Sequence, residues 1–448
     1  VPRKTAIFVA GLLLGFLAGK LLGAPSDEVR AAVADLRTVP QERWASTRYL
    51  SLANVPEDER ASVVAIVHFV ANSTGSSPTI VAGVPLRGDI LRLHLDDYRI
   101  NPVAWEALAG SDPYFHLRTK VIAPKTQKET VVFTDAGHVG LENAAALRKM
   151  TGSAGALLRA DWFITHVTTD HYYSFAAIPD TLDGWYQSLG VDKKTIVALQ
   201  ANRGANIFRS AVTQKPRRVS RYQGPLGGVW NTYDSADSDD PRKDPFRFPA
   251  FDSEYDAGEF IATKPNGLHV FGLYDRKGKR QDSVPDTIAK DTSDPLGDGR
   301  LVPMLSCVRC HTAGGYRVFS NDMAGLLKGR VDIKGYDVAR LAAFYSTDRL
   351  AKELDRDQED YAVAVAKATC GKLTAKELPE ALGKIVRGYA YETVNADKAM
   401  RDLGSLHLEF FKASNDPYLL SLFEGKEINR RAWEASYHEA ATLQEIGR

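Results

Sequence analysis

The sequence predicts an α+β protein, and three observations carry that expectation. Short strand-like runs lie between residues 79 and 274, two of them flanking Asn266-Gly267, and Asn-Gly between apolar runs is a strong hairpin signal. Helical spacing of apolar residues dominates after residue 320, and residues 224–258 are dense in Gly, Pro and Asp. The expected layout is a signal or anchor over 1–26, a mixed α/β region over 46–200, a loop-rich region with a β-hairpin over 201–300 and a mainly helical region over 301–448. The chain of 448 residues has room for more than one core.

Taken in order, the first element is Arg3-Lys4 followed by an apolar run from Ala6 to Gly19, continued after Lys20 by Leu21 to Ala24. A charged start and an apolar run read as an export signal. Gly11, Gly15, Gly19 and Gly23 recur every fourth residue, the small-residue strip of packed membrane helices. The run approaches the roughly 20 residues that a bilayer span needs. An uncleaved inner-membrane anchor is preferred to a cleaved signal, and both place the protein in the periplasm or otherwise outside the cytoplasm.

Helices are expected over 27–37 and 56–71, the second with acidic residues in its first turn and Val63, Val64, Ile66, Val67 and Val70 facing inward. His68 reads as a core histidine. Strands are expected over 79–84 and 90–95, then short helices after Asn101-Pro102 and over 143–150. The segment Arg159 to Phe163 reads as aromatic core, with His166 and His171 flanking it. The hairpin is expected as Glu259–Thr263 and Leu268–Tyr274. Helical spacing then recurs at 323–328, 338–345, 361–367, 378–387 and 420–423.

Composition narrows the functional classes. Apolar residues make up 44% and charged residues 25%, which excludes disorder as the main theme. Lys and Arg total 57 against 56 Asp and Glu, so no overall basic field exists to hold a phosphate backbone, and nucleic acid is not an expected partner.

Cys307-Val308-Arg309-Cys310-His311 carries the chemistry, because C-x-x-C-H is a c-type haem attachment pattern. Two thiols form thioethers with the haem vinyl groups, and the histidine ligates iron from the proximal side. A chance match in a long chain, zinc and a redox dithiol are the competing readings. Zinc wants four ligands, yet Cys370 is the one further cysteine, and it reads as a lone buried thiol. A redox dithiol should open a helix after a strand, whereas this motif follows Pro303 and precedes Gly314-Gly315. One covalent haem c is therefore the expected cofactor. The basic cluster Lys215 to Arg218 with Arg221 reads as a solvated face, or else as a docking patch or a set of haem-propionate partners.

With these residues in view, the chain resembles an uncharacterised family of large bacterial single-haem c-type cytochrome proteins. The resemblance rests on Arg48 to Asn54, Leu93 to Tyr98, Arg159 to Phe163, Gly228 to Asp234, Gly258-Glu259, Pro265 to Leu268 and Leu305 to His311. It implies haem binding and electron transfer outside the cytoplasm, with no defined substrate. Members tend to carry His-Asp-Gly-Gly-Glu before the hairpin, where this chain has Tyr255-Asp256-Ala257-Gly258-Glu259, and a histidine where this chain has Tyr222.

Function then turns on the iron's other face. Met323 and His269 are the candidate distal ligands, with Tyr255 a lesser one that would lower the potential. The expected function is one-electron transfer between redox donor and acceptor proteins, more a carrier than an enzyme. The alternative is a haem enzyme or small-ligand sensor, for peroxide or NO, with an open or weak distal site.

Overall fold

The computed structural model describes residues 25–114, 117–122, 129–134, 141–192, 194, 202–210, 213, 215–235, 240–249, 253–284, 288, 290–291, 299–312, 321–328, 335–403 and 407–446. The expected export segment lies outside them. Among the described residues no helix is long and apolar enough to cross a membrane.

The expected α+β class is present. The first part comprises α1 (Pro25–Leu36), β1 (Thr47–Ser51), α2 (Arg60–Thr74), β2 (Val84–Leu86), β3 (Ile90–His94), α3 (Leu95–Tyr98), α4 (Pro102–Ala109), β4 (Leu117–Ile122), β5 (Glu129–Thr134), α5 (Leu141–Thr151), β6 (Leu157–Arg159), α6 (Ala160–Val167), α7 (Tyr172–Phe175) and α8 (Leu182–Ser188). Strand order β2-β3-β1-β6 forms a small mixed sheet, parallel only between β1 and β6. β4 pairs with β5 as a separate ladder. Asn101 caps α4 by accepting from the Val103 amide, with Pro102 in the first turn, as the sequence predicts.

Two boundaries moved. Helix α2 starts at Arg60 rather than at residue 56 because Pro56 to Glu59 form a turn. The strand expected over 79–84 is confined to Val84–Leu86, while the Val81 amide and carbonyl are both bonded by the Asn72 side chain, which takes the place of a strand neighbour.

The central region departs further from expectation. It is a five-stranded antiparallel meander, β7 (Arg203–Ile207), β8 (Arg217–Gly224), β9 (Gly227–Tyr233), β10 (Ala257–Thr263) and β11 (His269–Asp275). The hairpin is its last pair, in register from Thr263 opposite His269 to Ala257 opposite Asp275. β9 falls in the stretch read as loops because both of its faces are buried, so no polar alternation marks it. Gly227 turns the chain into it at φ +140°.

The basic cluster is buried as well. Arg217 pairs with Asp234 at 2.7 Å, Arg218 lies over the Tyr233 ring and donates to Ser253, and Arg221 is bound by Asp357. These arginines hold the sheet to its neighbours, and neither a solvated face nor a docking patch describes them.

The last part is helical: α9 (Leu305–Thr312), α10 (Asp322–Leu327), α11 (Val338–Phe344), α12 (Thr347–Ala368), α13 (Leu378–Tyr391), α14 (Ala396–Leu403), α15 (Pro417–Phe423) and α16 (Arg430–Ile446), with a short pair β12 (Thr393–Val394) and β13 (Ile428–Asn429). One apolar cluster runs from Leu50 through Phe271 and Cys307 to Ala441, so the segments 46–200, 201–300 and 301–448 share a core.

Two buried polar contacts join those segments. Lys264, at the β10–β11 turn, donates to the carbonyls of Asn72 (3.1 Å), Ser73 (2.7 Å) and Gly75, which a helix end otherwise leaves without partners. Burial pushes this lysine down to about 7. His68 accepts from the Gly83 amide at Nε2 (3.0 Å), so its proton sits on Nδ1, 3.4 Å from Cys370 Sγ. Cys370 is exposed, in contrast to the buried thiol expected, because it ends α12 in a left-handed turn at φ +52°.

Lys264→Met is expected to lower the unfolding free energy by about 2–3 kcal/mol, read from urea denaturation, because the carbonyls lose their donor inside the protein. Burial lowers His68 from 6.5 to about 4, so between these values the unfolded chain binds a proton that the folded chain refuses. Stability is therefore complete above pH 6.5 and falls as the pH drops towards 4, by up to about 3 kcal/mol. Urea midpoints of wild type and His68→Gln across that window check this, and the wild type should show the steeper loss.

Candidate functional site

The Cys-Val-Arg-Cys-His motif lies on α9. Met304 enters the helix in a left-handed conformation at φ +65°, and Ser306 turns back on Val302, its hydroxyl accepting from the Val302 amide while its own amide donates to the Val302 carbonyl. Positions i, i+3 and i+4 share one helical face, so Cys307, Cys310 and His311 stand together. Leu305 and Val308 point the other way and are fully buried. Helix α9 packs on α13, and Arg309 is tied to the buried Asp291 at 3.2 Å. The helix is thus held by its back face, and its chemical face offers two thiols for covalent attachment and one imidazole for axial ligation.

Burial, with Glu259 nearby, pushes the Cys307 thiol well up from its ordinary value. A disulfide-exchanging dithiol needs a ready thiolate, so this environment disfavours that chemistry. The described residues contain no cluster of His, Cys, Asp and Glu arranged to hold a metal ion by themselves.

Of the sequence-predicted residues, His269 interacts electrostatically with the motif, through His311. It is buried at the start of β11, not a strand-surface histidine, and its ring lies flat on Tyr361 of α12 with centroids 3.8 Å apart. Burial, and secondarily the charge of His311, lowers it to about 3, so it is neutral and within electrostatic reach of His311. Strand register puts His269 on the same sheet face as Phe271, Ile261, Trp230 and Arg221.

Met323 and Tyr255 are placed elsewhere. Met323 packs with Leu327, Leu341, Phe344 and Tyr345 in a cluster separate from the one holding Cys307. Its sequence proximity to the motif does not bring it there, because α10 is drawn onto β7 by Asn321 and Asp322. Tyr255 meets the edge of Tyr233, whose hydroxyl is bonded to Tyr222, on the sheet face away from His269. His166 and His171 lie at the end of α6 and just beyond it.

Tyr361 was not singled out from the sequence. The signal for it is Asp357 one turn earlier on the same face of α12: Arg221 grips Asp357 through two bonds of 2.8 and 2.9 Å, and the Trp230 indole donates to it at 2.8 Å. Arg221 and Asp357 side chains are 1% and 3% exposed, and Arg221 is paired besides with the partly exposed Glu353 at 2.9 Å, so removing Asp357 leaves a buried guanidinium with one carboxylate fewer. Asp357→Ala is expected to cost about 3 kcal/mol in urea unfolding, whereas Lys384→Ala, which breaks the exposed Lys384–Glu59 pair, should leave the urea midpoint nearly unchanged.

Comparison of the chain with protein-family models, with curated proteins and with solved structures returned no match.

Proposed function

We propose that this protein is an exported, membrane-anchored single-haem c-type cytochrome that carries one electron at a time between redox donor and acceptor proteins in the periplasm. The observation that carries the reading is the single face of α9 on which Cys307, Cys310 and His311 stand, backed by a buried helix surface. That donor set suits haem c: two thiols for thioethers and one imidazole for the proximal position. The haem, when bound, supplies a one-electron iron couple.

The chain's own residues do the rest. The buried back of α9 and the Arg309–Asp291 pair hold the attachment face in place. His269, neutral and within electrostatic reach of His311, is the best-placed distal ligand of the three candidates. A second reading, a haem enzyme or small-ligand sensor, keeps the same attachment but leaves the distal face open. The stacking of His269 on Tyr361 favours it, since a ring clamped in the core is less free to reach a metal.

The pyridine haemochrome of the purified protein should show the c-type band, with the haem retained in acid acetone; extractable haem overturns the proposal. Ferric wild type should be low-spin, and His269→Ala should turn high-spin and bind cyanide, whereas Met323→Ala and Tyr255→Phe should leave the spectrum unchanged. A high-spin wild type that binds cyanide selects the second reading.

A further inference from the structure

A cavity of about 690 Å³ opens where the chain enters α9, with Val302 and Pro303 in its wall. Its other walls come from the end of α6, the end of α13 and the start of α16. The wall is coupled to the motif: the Leu305 amide donates to the Thr168 carbonyl, and Tyr173, which lines the cavity, is within electrostatic reach of Cys307.

Two wall residues can offer hydrogen-bond acceptors. His166 Nδ1 lies 2.9 Å from the Trp162 carbonyl, which can only accept, so Nδ1 is the donor and Nε2 is the acceptor of the neutral ring. The ring is held by stacking on Trp162 at 4.4 Å and by the edge of Tyr389. Glu434 accepts at Oε1 from both Tyr114 and Tyr389, which leaves Oε2 for a ligand.

The remaining charges balance. In the wall Arg300, Arg430 and Arg431 stand against Asp170, Asp282 and Glu434, and Arg430 is paired besides with Asp402 and Glu392 outside it. An ionic ligand gains little there, so the cavity suits a neutral molecule. Tyr173, Tyr389, Tyr391 and Pro303 offer flat surfaces to a ring. A neutral, flat ligand with two O–H donors, beside a proposed one-electron centre, is a hydroquinone.

We propose that this cavity binds a hydroquinone and that His166 and Glu434 receive its two protons as it is oxidised to the quinone. The proposal rests on the haem reading for its electron acceptor. Each O–H bond breaks with its proton passing to one of these bases, and the two electrons would leave one at a time to the one-electron couple that a haem held on the α9 face would supply. Once His166 and Glu434 have passed these protons on to solvent both are acceptors again, and they do not hold the two acceptor oxygens of the quinone, so the product leaves.

The test is anaerobic calorimetric titration of the whole haem-containing protein with 2,3-dimethoxy-5-methylhydroquinone and, separately, with its quinone. The hydroquinone should bind at least about tenfold more tightly than the quinone, one charge-assisted hydrogen bond's worth. His166→Phe and Glu434→Gln should each erase that preference. Ala390→Trp, which fills the cavity from its wall, should abolish binding with the near-ultraviolet circular dichroism otherwise retained. Equal affinity for both probes, or binding unaffected by Ala390→Trp, overturns the proposal. A Cys307→Ser/Cys310→Ser variant separates the two readings. Hydroquinone binding that persists without covalent haem supports the cavity, and no binding to either form sinks it while the haemochrome result stands. Should the wild type bind hydroquinone but lack the c-type band, the haem reading and the electron-transfer half of this proposal fall together.

Discussion

The Arg221–Asp357 pair is the contact on which the arrangement around α9 depends. Two opposite charges are taken out of water together; Asp357 is held by Arg221, and Arg221 by Asp357 and, at the rim, Glu353. Asp357 also accepts from Trp230, so one carboxylate joins two strands of the meander to α12. Since Tyr361 follows one turn later, the pair that docks α12 also sets the surface against which His269 lies. A buried ion pair is a weak source of net stability but a strong source of register, because no shifted packing can satisfy it.

The same logic recurs across the molecule. Arg217 with Asp234 and Arg430 with Asp402 and Glu392 bind neighbouring elements, and Arg159 with Asp402 binds elements far apart in sequence. Lys264 does so without a carboxylate, by serving the carbonyls at the end of α2. These contacts join elements of three segments that contribute to one apolar cluster although the chain reads as separate regions. An apolar cluster alone tolerates sliding; fixed charges and carbonyls do not.

Some of this was legible beforehand. The hairpin at Asn266-Gly267, the capped helix after Asn101 and the helical run after residue 320 follow local rules, and local rules survive folding. Strands β8 and β9 were not legible, because arginines and glycines mask a strand that is buried on both faces. The charges of Arg217, Arg218 and Arg221 looked like surface for the same reason: their partners Asp234, Ser253 and Asp357 lie at sequence separations that no periodicity reports.

The sequence by itself determined the α+β class and the spacing of Cys307, Cys310 and His311, since a helical turn carries i, i+3 and i+4 to one side wherever the helix sits. Only the tertiary structure decided what stands near that side. It buried His269 against Tyr361, drew Met323 into another cluster and left Tyr255 across the sheet. Distance along the chain could not choose among the three, because their positions follow from sheet register and from buried charge pairs between segments.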